Sequence, residues 1–165
     1  MMREHMGLFR GKRIDNGEWV EGAYCKHDTV KVFLSSDDPK TKHLIVADAF
    51  CDWGFEPALV GHEVDPDTVG ECCGGLRDKN GKLIFEGDIF SIEDEIVAVV
   101  IFQDGCFRME EYGLCGTWTE SGFDECGGGW GVIQCDPIDW YTIGDMEAIG
   151  NVTDNPELLK GGVAT

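Results

Sequence analysis

The sequence predicts an all-β protein made of two small β units, residues 1–63 and 64–165, the second an SH3-like or related small barrel followed by a short C-terminal helix. Three observations carry this. Apolar segments are short and bounded by Gly and Asn, with little of the three-to-four-residue periodicity of helices. Two Asn-Gly dipeptides, Asn16-Gly17 and Asn80-Gly81, supply tight turns. The longest apolar run, residues 96–102, has strand length and falls far short of the roughly 20 residues of a membrane-spanning helix.

Residues 19–24 and 29–34 read as strands, the first entered through Asn16-Gly17. A polar loop covers 37–42, and 48–60 mixes Trp53 and Phe55 with Gly54 and Pro57. The unit boundary falls near Val64, where Asp65-Pro66-Asp67 opens the second unit. Cys72-Cys73 sits in a Gly-rich stretch and reads as two small side chains at a crowded turn. Arg77-x-x-Asn80-Gly81 with Glu86-Gly87 echoes Arg13-x-x-Asn16-Gly17 with Glu21-Gly22, suggesting two hairpin-led units.

Then come a strand over 87–92, an acidic turn 93–95, a buried strand 96–102, a turn at Gln103-Asp104-Gly105 and an alternating strand 106–110. Such a meander curls into a barrel because closure hides its edges. Residues 113–131 form a long loop or irregular hairpin. Trp118, Trp130 and Trp140 mark the candidate protein-interaction surface, since an aromatic among glycines offers contact area at low entropy cost. The structural alternative is that these rings fold back onto the barrel. A last strand covers 146–152, and Asp154-Asn155-Pro156 supplies an N-cap and first-turn Pro for the terminal helix.

The net charge of −19 is uneven. Residues 1–43 hold eight Lys or Arg against seven Asp or Glu, and 44–165 hold five against twenty-five. Nucleic-acid binding rests on cations that displace counterions, so direct DNA or RNA binding is not expected. The acidity either keeps the chain soluble or offers a phosphate-like face to a basic partner. Residues 1–6 have mixed charge and no apolar stretch after them, so a secretory signal is not expected and the cytoplasm is the expected compartment. There the eight cysteines stay reduced. Cys106, Cys115, Cys126 and Cys135 lie nine to eleven positions apart, unlike the short pairs of a zinc site. No metal or other cofactor is expected.

Catalytic motifs are missing too. There is no phosphate-binding glycine loop, no H-E-x-x-H and no G-x-S-x-G elbow. His62-Glu63 is an isolated pair, and the carboxylates are too numerous for a paired-acid argument. The chain reads as no enzyme.

Three blocks of residues resemble the YopX family of phage and prophage proteins. The first is Phe9-Arg10-Gly11-Lys12-Arg13-Ile14-Asp15-Asn16-Gly17-Glu18-Trp19-Val20-x-Gly22. The second runs His62-Glu63-Val64-Asp65-Pro66-Asp67-Thr68-Val69-Gly70 and resumes at Gly75-Leu76-Arg77-Asp78-Lys79-Asn80-Gly81-Lys82-x-Ile84-x-Glu86-Gly87-Asp88-Ile89. The third is Met146-Glu147-Ala148-Ile149-Gly150-Asn151-Val152-Thr153-Asp154-Asn155-Pro156-Glu157-Leu158-Leu159. The resemblance implies two largely β parts, self-association, no assigned activity and no catalytic residues. Glu71-Cys72-Cys73-Gly74-Gly75 departs from the shorter polar or aromatic turn expected of the family, and 113–140 looks specific to this chain. The leading expectation is a non-enzymatic accessory protein that binds a protein partner or itself as a homo-oligomer. The alternative is an acidic, nucleic-acid-mimicking inhibitor of a host DNA-processing enzyme.

Overall fold

The computed structural model describes residues 7–28, 41–49, 58–93, 96–114, 117–119, 122–124, 130–138 and 143–160. They form an all-β chain that divides into two compact units, Met1–Cys72 and Cys73–Thr165. The division falls inside the strand Gly70–Arg77, after the Asp65-Pro66-Asp67 turn near Val64. That turn is a short 3-10 segment, Pro66–Thr68, in which the Asp65 carboxylate accepts from the Asp67 N–H at 3.1 Å. The strand after it still pairs within the first unit.

In the first unit β1 (Leu8–Lys12), β2 (Trp19–Asp28), β3 (Thr41–Ala49), β4 (Ala58–Glu63) and the start of β5 (Gly70–Arg77) make an antiparallel sheet in the order β4-β3-β2-β1-β5. Gly17, at φ +74°, turns β1 into β2, and the Asn16 side-chain oxygen accepts from the Glu18 N–H at 3.0 Å. Ile45 and Val64 are fully buried, and Gly11 passes so close that a Cβ there would lie 3.1 Å from Ile45 Cδ1. Arg10 is buried as well, its guanidinium 4.9 Å from the centre of the Trp19 ring, which compensates for water lost by the cation. The strand read over 29–34 and most of the 48–60 stretch lie outside the described residues.

Cys72 and Cys73 are not at a turn. They lie in β5, where neighbouring side chains alternate in direction, and each is only 2% exposed. The glycines that suggest a loop are an irregularity within the strand: Gly74 and Gly75 have φ of +62° and +85°.

In the second unit β6 (Leu83–Phe85) follows the Asn80-Gly81 turn. Buried Asp78 organises that turn, its Oδ1 accepting from the N–H groups of Asn80 and Lys82, both at 2.9 Å. Next come β7 (Asp88–Glu93), β8 (Ile96–Gln103), β9 (Cys106–Leu114), the small pair β10 (Thr117–Thr119) and β11 (Gly122–Asp124), then β12 (Trp130–Pro137) and β13 (Ala148–Asn151). The main sheet runs β12-β9-β8-β7-β13. The meander β7-β8-β9 is as expected, with Asp104 and Gly105 both at positive φ in the β8–β9 turn. β8 is central, so its run is apolar on both faces. Val100 joins Cys73, Ile84, Phe90 and Ile143 on one side, while Val97 and Val99 pack with Ile89 on the other. The sheet ends at β12 and β13 among the described residues, and the antiparallel, all-β architecture is the class expected from the sequence.

Two sequence readings change in detail. The terminal helix is a single 3-10 turn, Pro156–Leu159, with Gly161-Gly162 close behind it in the sequence to disfavour a longer helix. The Asn155 side chain does not cap it but accepts from the Asn151 N–H at 3.4 Å. The internal echo holds for the Asn-Gly turns and fails at Glu-Gly. Gly87 turns the chain at φ +85°, whereas Gly22 is an in-strand residue crowded by β3.

Candidate interaction edges

Of Trp118, Trp130 and Trp140, Trp130 has its side chain among the described residues. Trp130 starts β12 and folds back, half-buried against the Ile89, Val97 and Val99 cluster, with its indole N–H buried and without a hydrogen-bond partner among the described residues. Trp118 lies in β10 opposite Phe123 of β11. Trp140 lies outside the described residues. His62 and Glu63 are consecutive in β4, so their side chains leave opposite faces, and Glu63 pairs instead with Lys42 at 2.6 Å.

Large apolar side chains are exposed at the ends of both sheets. On β4, the last strand of the first sheet among the described residues, Leu59 is 72% exposed and Val60 36%. On β12, at one edge of the second sheet, Val132 and Ile133 are 47% and 42% exposed. An edge strand offers N–H and C=O groups to another strand, and exposed apolar side chains add contact area.

The edges differ. β12 has a register shift between Val132 and Gln134 that leaves Ile133 unpaired, and it ends in Pro137, which has no N–H to offer. Both features blunt a strand against pairing. β4 pairs with β3 in unbroken register from Glu63 to residue 58 and contains no proline.

Charge also separates them. Beside β12, burial and then the charge of Asp136 push the Glu111 carboxyl above its ordinary pKa. Glu110 accepts the Tyr112 hydroxyl proton at 2.7 Å, and Tyr112 is pushed up to about 12, first by burial and then by that bond. Folded Glu111 therefore holds its proton to higher pH than the unfolded chain does, and stability falls as pH rises through that interval. Glu111→Gln is expected to raise the melting temperature modestly at neutral pH, with the gain vanishing in acid. Melts of both proteins across a pH series check this, and an equal gain at all pH values excludes the charge explanation.

The apolar edges were not singled out from the sequence. The available signal was the short run Ala58-Leu59-Val60 between Pro57 and His62, but which strand ends a sheet is not written locally.

These features define a two-unit, antiparallel all-β protein whose exposed apolar side chains lie largely on sheet edges. The chain belongs to the YopX family: the family model described as YopX protein matches residues 8–160. No curated protein matches it. Two acidic residues of the family blocks support the fold directly. Asp78 and Asp88 are buried, and Asp88 accepts the Phe85 N–H at 2.9 Å. No helix among the described residues is long and apolar enough to cross a membrane.

Proposed function

We propose that the chain is a non-enzymatic, protein-binding or self-assembling β module, serving as an accessory protein of a phage or prophage in the cytoplasm. One observation carries the reading: Leu59, Val132 and Ile133 are exposed on strands that end their sheets. Exposed apolar side chains on edge strands offer contact area to another polypeptide. Affinity capture from host lysate with nuclease present tests it. A partner protein, or the chain itself, is expected to be retained at high salt, because apolar and backbone contacts are weakly screened. Failure to retain either counts against the proposal.

The second reading, an acidic mimic of nucleic acid, is favoured by the carboxylates Glu110, Glu111 and Asp136 near β12 and the absence of any Lys or Arg between Arg108 and Lys160. Its mark is a DNA-processing enzyme retained despite nuclease and released by salt.

A further inference from the structure

We propose that β4 is a self-pairing edge, joining two copies of the chain through antiparallel β4–β4 contact about a two-fold axis. This rests on the protein-binding reading above and names the partner at one of its edges. The strand reads Ala58-Leu59-Val60-Gly61-His62-Glu63. With the axis between Val60 and Gly61, Val60 comes opposite Gly61, Leu59 opposite His62, and Glu63 opposite residue 58. The smallest residue faces a β-branched one, and no carboxylate faces another.

Charge selects the occupant. The chain carries −19 overall, so most surfaces of two copies repel. β4 has one formal charge, Glu63, held by Lys42 at 2.6 Å. This strand therefore adds little self-repulsion, while a basic partner finds little to attract it here and much more around β12. The even register also leaves the edge unprotected. A bulge, an outer-edge lysine or a proline commonly prevents such pairing, and β4 has none of them. One six-residue strand pair buries less than the ~1,200–2,000 Å² of a standard stable interface, so the dimer is expected to depend on concentration.

The test is sedimentation of the full chain over a wide concentration range, with Leu59→Glu and Ile133→Glu as variants. Both positions are exposed, so circular dichroism should show an unchanged fold. The wild type is expected to pass from monomer to dimer. Leu59→Glu should weaken that step about tenfold or more, because it replaces apolar contact with a carboxylate that the strand pair must strip of water, and Ile133→Glu should leave it unchanged. Slower amide exchange in β4 as concentration rises would support the same contact. A dimer kept by Leu59→Glu and lost in Ile133→Glu would overturn the β4 assignment while sparing a self-assembling module. A wild type that stays monomeric throughout, yet captures another protein, would overturn self-pairing and leave the binding reading standing.

Discussion

Gly22→Ala is expected to cost the first unit about 3 kcal/mol or more, enough to unfold much of it at room temperature given the ~5–15 kcal/mol stability of ordinary domains. A Cβ at residue 22 would stand 2.1 Å from the Val46 carbonyl oxygen, 2.8 Å from its carbon and 3.1 Å from Ile45 Cγ2. Two of those atoms are backbone, and no rotamer change moves them. Relief requires β2 to draw away from β3, breaking a register that runs from Ala23–Val46 to Asp28–Thr41 and shifting the fully buried Ile45. Gly17→Ala is the matched control. Its φ is +74° and nothing lies within 4 Å, so it meets only the left-handed penalty of about 1–2 kcal/mol. Urea titration of the three proteins by circular dichroism separates these costs. Equal midpoints for the two variants would show that the close approach at Gly22 is relieved without cost.

The contrast between these glycines marks where local reading stops. Asn16-Gly17, Asn80-Gly81 and Asp104-Gly105 announce their turns because the need for positive φ lies within a few residues. The strands β7, β8 and β9 were legible for a similar reason: one is an apolar run, and its neighbours are bounded by turn residues. Gly22 looks the same in sequence as Gly87, yet its role depends on a strand more than twenty positions away. β5 was hidden by Gly74-Gly75, which imitates a loop, and β1 by Arg10, whose burial beside Trp19 breaks the apolar pattern. The interaction edges were the least legible. Tryptophan draws attention by type, but Trp130 folds inward, whereas the exposure of Leu59 follows from β4 being the last strand of its sheet among the described residues.

Asp88→Ala is expected to destabilise the second unit by about 2–4 kcal/mol, and Asp88→Asn by about half as much. Asp88 is fully buried at the start of β7, in the Glu86-Gly87-Asp88 turn. Its Oδ2 accepts the N–H of Phe85, which is itself only 1% exposed, so truncation takes the acceptor from a donor that water reaches poorly. The same turn is tied on both sides. The Gly87 N–H donates to the Val100 carbonyl at 2.8 Å, and the Gly87 carbonyl accepts from the Val152 N–H at 2.8 Å. Residues 85–88 thereby link β6, the central strand β8 and the end of β13, with Ile84, Ile89 and Val100 buried around them. Loss of the Asp88 acceptor loosens this junction as a whole. Asparagine keeps a side-chain oxygen of similar reach and loses the charge assistance, hence its smaller expected cost. Denaturant midpoints for wild type and both variants measure the ordering. An alanine variant as stable as wild type would show that the Phe85 N–H finds another acceptor, and that this turn does not depend on the carboxylate.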